Sequence, residues 1–123
     1  KIGNCKIRNF LEIIPSINVP TFEEAKERIR KVESHAKWAH LDVTDGLFSK
    51  HLTWHNPADL PLLNTKLNLE VHLMIEEPEK AIESWLISPI KRIIIHLEVP
   101  QTIYCAHKYI SLIYGTFFHP FMS

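Results

Sequence analysis

The sequence predicts an α/β fold built on a parallel sheet. Short apolar runs alternate with stretches of helical period, the alternation repeats at near-constant spacing, and each apolar run carries polar residues on its second face. Such alternation implies right-handed βαβ crossovers that lay helices over parallel strands.

The first run, Leu11-Glu12-Ile13-Ile14-Pro15-Ser16-Ile17, reads as a strand. Thr21-Phe22-Glu23-Glu24 then has the Ser/Thr-x-x-Glu spacing of a capping box, so a helix starts near Phe22. Its apolar positions Phe22, Ala25, Ile29 and Val32 step by 3, 4 and 3, one stripe of an amphipathic helix, with Glu27, Arg28, Arg30 and Lys31 left for solvent. Trp38 to Val43 is a second strand, and a loop from Asp45-Gly46 to Asn56-Pro57 leads to a short helical candidate, Ala58 to Leu63. Leu67 to Ile75 is a third strand. After it, Glu76-Glu77-Pro78 opens a helix whose apolar face is Ala81, Ile82, Trp85 and Leu86. Arg92 to Leu97 is a fourth strand, and Ile103, Ala106, Ile110 and Ile113 again step as a helix.

An eightfold β/α barrel of about 250 residues spends roughly 31 on each unit. A chain of 123 residues holds about four such units, but a doubly wound open sheet of four or five strands fits the same count. Neither a GxGxxG nor a GxxxxGK[ST] loop is present to favour nucleotide binding.

Composition bounds the function. At 46% hydrophobic and 23% charged residues the chain has material for a core, and its length fits a single domain over residues 1–123. Lys plus Arg balance Asp plus Glu at 14 each, so no field of one sign points to nucleic acid or to an anionic membrane. No uncharged apolar run is long enough to span a bilayer. Cys5 and Cys105 lack any metal or disulfide spacing, and a reducing cytoplasm is the expected location. The start at Lys1 suggests a fragment. Residues 99–123 differ from the rest: they hold no acid and every Tyr, and read either as a further helix and the start of a strand at Thr116-Phe117-Phe118 or as an aberrant end.

Side chains alternate across a strand, so each strand divides by parity. One parity gives Ile13 and Ile17; Ala39, Leu41 and Val43; Leu69, Val71, Leu73 and Ile75; and Ile93, Ile95 and Leu97, an aliphatic set suited to lie under helices. The other gives Ser16; His40, Asp42 and Thr44; His72 and Met74; and His96 and Glu98. In barrels and open sheets alike, chemistry gathers at the carboxyl ends of strands. His-x-Asp with a His on the next strand offers two imidazoles and a carboxylate, donors suited to Zn, Mn or Fe(II) rather than to Ca or Mg. Taken alone, a His-x-Asp is more often a hydrogen-bonded pair, and His96 a satisfied core histidine.

Ile14-Pro15-Ser16-Ile17, His40-Leu41-Asp42-Val43-Thr44-Asp45-Gly46, Val71-His72-Leu73-Met74-Ile75 and Ile95-His96-Leu97-Glu98 together resemble, in order and spacing, the first four strands of the ribulose-phosphate 3-epimerase family. The resemblance spans about residues 12–98. It implies a TIM (β/α)8 barrel, of which the chain covers about the first four βα units, interconverting ribulose 5-phosphate and xylulose 5-phosphate with a divalent metal cation, Zn, Mn or Fe(II), in its mouth. By the same resemblance His40, Asp42 and His72 are the metal ligands and Asp42 is one of two acid/base carboxylates. Ser16, His72 and Met74 border the sugar phosphate.

The second carboxylate, a fourth ligand and the phosphate loops belong to later strands of the family. Thr44 stands where a Met is usual, and Asp45 reads as a turn residue that bonds the loop backbone. Two other functions fit the pattern: a non-catalytic metal-binding half-barrel, whose open sheet edges predict a homo-oligomer, and a divergent barrel enzyme on another sugar phosphate.

Overall fold

The computed structural model describes residues 11–96 and the backbone of 117–119. Its elements are β1 (Ser16–Ile17), α1 (Phe22–Val32), β2 (Trp38–Thr44), a 3-10 segment (Pro57–Leu63), β3 (Asn68–Met74), α2 (Pro78–Trp85), β4 (Ile90–His96) and β5 (Phe117–His119).

Helix α1 begins where its chemistry dictates. The Thr21 hydroxyl accepts from the Glu24 amide at 3.2 Å, Glu23 and Glu24 occupy the first turn, and Arg30 and Lys31 the last, each sign complementing the helix dipole. Ala25 and Ile29 are buried, with Phe22 and Val32 packed beside them, so the predicted stripe is the buried face. Arg30 does more than face solvent: its guanidinium donates to the carbonyl of Leu63 and binds the end of the 3-10 segment to the helix.

The candidate helix at Ala58 to Leu63 is a 3-10 segment beginning at Pro57. Asn56 caps it, and Pro61 inside it cannot donate to an α-helical ladder. The tighter period of three brings Leu60 and Leu63 onto one face, and both are buried. Pro78 opens α2, which buries Ile82 and Trp85 and packs Ala81 and Leu86 against the same core.

All five strands are parallel, in the order β1-β2-β3-β4-β5. A doubly wound sheet reverses its order at a switch point. No reversal occurs here, and the consecutive winding is that of the first part of a (β/α)8 barrel. Ile17, Ala39, Leu41, Val43, Leu69, Val71, Leu73, Ile75, Ile93 and Ile95 join the helical side chains in one core, as their parity predicts. Trp54 extends that core beneath the loop after β2, with its ring 5.5 Å from Phe22 and 5.8 Å from Trp85.

Three expectations need correction or fall elsewhere. The first strand is only Ser16–Ile17, and Ile13 is 79% exposed, so it does not belong to the core set. On the amino side of Pro15 none of the described apolar residues lies in a strand, although the Pro15 carbonyl still accepts from the His40 amide. Strand β5 lies one residue further along than Thr116-Phe117-Phe118. Leu97, Glu98 and the helix expected from Ile103 to Ile113 lie outside the described residues.

Candidate functional site

The parallel register builds the second face of the sheet in rows. Ser16 pairs with His40, His40 with Glu70, and Glu70 with Arg92; the next row runs from Asp42 to His72 to Ile94; Thr44 and Met74 form the row nearest the carboxyl ends. Side chains separated by 30 residues of sequence therefore meet because adjacent strands hold them in step.

Asp42 is the meeting point. Its Oδ1 lies 3.0 Å from His40 Nε2 and 3.2 Å from His72 Nδ1, while Oδ2 accepts from the Ser16 hydroxyl at 3.0 Å. The side chains of His40, Asp42 and His72 retain 19%, 18% and 19% exposure, enough for a small ion to reach them. Burial pushes the Asp42 carboxyl upward, but the imidazoles of His40 and His72 and the Ser16 hydroxyl outweigh it and hold the group well below the usual carboxylate range. His40 is shifted the other way. Its hydrogen bond to Asp42 raises it, against burial and with help from Glu70.

The remaining imidazole atoms are also engaged. A carboxylate can only accept, so His72 donates from Nδ1 to Asp42, and its Nε2 shares a hydrogen bond with His96 Nε2, 2.7 Å away. His96 is 5% exposed, stacks on His72 at 4.8 Å between centroids and packs against Phe48 at 5.0 Å. It is the partnered core histidine that its sequence context suggested.

One ring nitrogen each of His40 and His72 and a carboxylate oxygen of Asp42 lie within 4.8 Å of one another. A first-row cation bound at roughly 2.0–2.2 Å subtends donor-to-donor edges of about 3.0–3.5 Å. The observed edges of 3.0 and 3.2 Å have that size, so the three groups can hold such an ion. Two imidazoles and one carboxylate also have the donor softness that Zn, Mn or Fe(II) favours.

Asp45 stands apart from the cluster. Its Oδ1 accepts from the amides of Leu47 and Phe48 at 2.9 and 3.0 Å, and its Oδ2 from the Glu76 amide at 2.9 Å. Partial burial works against ionisation, but these amides hold the carboxyl below its ordinary value. His51 and His55 are exposed loop residues bonded to Asn18 and to the Thr53 carbonyl. The Thr44 side chain is 2% exposed, and its hydroxyl has no hydrogen-bond partner among the described residues.

Sequence reasoning missed Glu70. Its Oε1 accepts from His40 Nδ1 at 2.8 Å and its Oε2 from Arg92 at 3.0 Å. A signal for it was available: Glu70 shares the parity of Asn68 and His72, the polar side of the strand.

Comparison with known proteins agrees with this geometry. The family model described as the Ribulose-phosphate 3 epimerase family matches residues 12–116. A ribulose-phosphate 3-epimerase of Synechocystis is 38% identical over 89 residues, covering 70% of this chain and 38% of the relative. One of Treponema pallidum is 33% identical over 106 residues, covering 84% and 47%. The chloroplastic ribulose-5-phosphate-3-epimerase of Arabidopsis thaliana is 34% identical over 95 residues, covering 75% and 34%. The chain thus spans from about a third to about half the length of these curated relatives. With a consecutively wound parallel sheet, a His-Asp-His cluster at its carboxyl ends and a match over most of its length, the chain belongs to the ribulose-phosphate 3-epimerase family.

Proposed function

We propose that the chain supplies the first four strands of a sugar-phosphate epimerase, one that removes the C3 proton of ribulose 5-phosphate and returns a proton to the opposite face to give xylulose 5-phosphate. The observation that carries this reading is the convergence of His40 and His72 on a single oxygen of Asp42. His40, Asp42 and His72 would hold a divalent cation, Zn, Mn or Fe(II), which when bound would supply positive charge for the carbonyl oxygen that becomes anionic as C3 loses its proton.

Asp42 divides its labour between its two oxygens. Oδ1 faces both imidazoles and serves as the ligand atom, whereas Oδ2, held by the Ser16 hydroxyl, is the atom that takes the proton. Ser16 is exposed and orients both Oδ2 and the substrate. Met74, one row nearer the carboxyl ends than His72, walls the sugar.

Inversion needs a proton carrier on the other face as well. Among the described residues the other two acids near the cluster are engaged elsewhere, Glu70 by His40 and Arg92 and Asp45 by three amides. The family resemblance implies that the second carrier belongs to a later strand.

The test is reconstitution. Alone, with added metal, the chain should turn over little ribulose 5-phosphate. Supplied with the carboxyl-terminal half of a family member it should gain activity, and Asp42→Asn should abolish that activity with the fold retained. Robust turnover by the chain alone, or by the reconstituted Asp42→Asn protein, would refute the assignment.

A further inference from the structure

One row nearer the amino ends of the strands than Asp42 and His72 runs a charged row. His40 donates from Nδ1 to Glu70 Oε1 at 2.8 Å, Arg92 donates to Glu70 Oε2 at 3.0 Å, and the Arg92 guanidinium carbon lies 3.9 Å from the Trp38 ring centroid. Glu70 is only 7% exposed, and each of its oxygens has one of these partners.

A β-bulge makes the row possible. Leu69 pairs with Ile90 but Glu70 with Arg92, so Lys91 is the extra residue on β4. In an unbroken register Glu70 would pair with Lys91, and Arg92 would point into the helix layer, because a shift of one position exchanges the two faces of a strand.

Such a pair is a poor device for stability alone. Desolvating a carboxylate and a guanidinium is costly, and apolar side chains of similar volume serve the core as well or better. What the pair does that apolar residues cannot is hold the far nitrogen of an imidazole. Asp42 Oδ1 by itself can be met by either ring nitrogen of His40; Glu70 removes the choice, because Nδ1–H is bound behind and Nε2 must point forward. Arg92 fixes the second oxygen of Glu70 in its buried position, and Trp38 holds the guanidinium plane in place.

We propose that Glu70 and Arg92 are positioning residues that lock the His40 ring with Nε2 toward Asp42 and thereby set the affinity of the cluster for a divalent cation. This rests on the metal-site reading given above. Partners of this type behind a ligating imidazole are worth about 10- to 100-fold in metal affinity.

The test uses the full chain and the metal alone. The double variant Glu70→Leu/Arg92→Met replaces the pair by apolar groups and leaves neither charge orphaned, so far-UV circular dichroism should match wild type. Calorimetric titration with Zn or Mn should show affinity lowered toward 100-fold. In the metal-free chain the slowly exchanging, low-field Nδ1 proton of His40 should be present in wild type and absent from the double variant. Glu70→Gln, close to isosteric, provides a second reading should the double variant not fold, with a loss nearer tenfold. Wild-type affinity together with an intact low-field proton in either folded variant overturns this inference alone and leaves the epimerase reading standing. A wild-type chain that binds neither cation removes the metal reading and this one with it.

Discussion

Asp42→Asn is the most informative single perturbation. One atom, Asp42 Oδ1, is common to both short donor-to-donor edges, 3.0 Å to His40 and 3.2 Å to His72, and it is the anionic donor of the three. Changes to groups that merely support a ligand cost up to about 100-fold in metal affinity, so removing the anionic ligand itself should cost at least that. With free metal at 100 times the wild-type dissociation constant, binding stabilises the wild-type fold by about 2.7 kcal/mol. The variant, then at about its own dissociation constant, gains only about 0.4 kcal/mol. At roughly 2.1 cal/mol/K of unfolding entropy per residue, 1 kcal/mol shifts the Tm of this 123-residue chain by about 4 °C, so the metal-induced rise should be about 9 °C smaller in the variant. Thermal melts followed by circular dichroism, with and without Zn or Mn, measure the difference. His55→Gln serves as a control, because His55 bonds the Thr53 carbonyl outside the cluster, and its metal-induced rise should equal that of wild type. An equal rise in wild type and Asp42→Asn would show that no cation is held at these residues, and the reasoning would fail.

Two further outcomes follow from the metal-free chain. The raised His40 contributes stability that is complete below its ordinary 6.5 and is lost as pH climbs through its folded value; the lowered Asp42 contributes stability that is complete above its ordinary 3.8 and is lost as pH drops through its folded value. Urea midpoints should therefore decline from pH 6.5 upward, and His40→Asn should remove that decline; a variant that keeps the wild-type alkaline limb would contradict the assignment. The neighbouring threonines should behave oppositely. Thr44→Val removes a buried hydroxyl that lacks a partner among the described residues and should be neutral or stabilising by up to about 1 kcal/mol, whereas Thr53→Val orphans the Thr44 amide and should cost about 1–3 kcal/mol, both read from urea unfolding. The reverse order would show that the Thr44 hydroxyl is satisfied.

What the sequence made legible was what a period of two can carry. His40, Asp42, His72 and Met74 were separable from Leu41, Val43, Val71 and Leu73 because every second residue of a strand shares a face, and the structure keeps those faces. Periodicity says nothing of neighbours, however. Ile13 fits the aliphatic pattern but lies outside the paired segment, and only the pairing with β2 distinguishes it from Ile17. Winding was equally hidden, since a barrel and an open sheet consume the same residues per unit until strand order is known. The 3-10 period of Pro57–Leu63 came from Pro61, a breaker whose effect on a run already read as helical is easily overlooked. The Glu70 to Arg92 contact depends on a bulge, a change of register that leaves no trace in alternation.

Asp45 has a consequence of its own. By accepting from Leu47, Phe48 and Glu76 it fastens the segment leaving β2 to the segment leaving β3, the two strands that carry the cluster. The imidazoles and the carboxylate are thus brought together by contacts of the fold itself. On the proposed metal reading little ordering would remain to be done at capture, and an incoming cation would lose less of its binding free energy to conformational entropy.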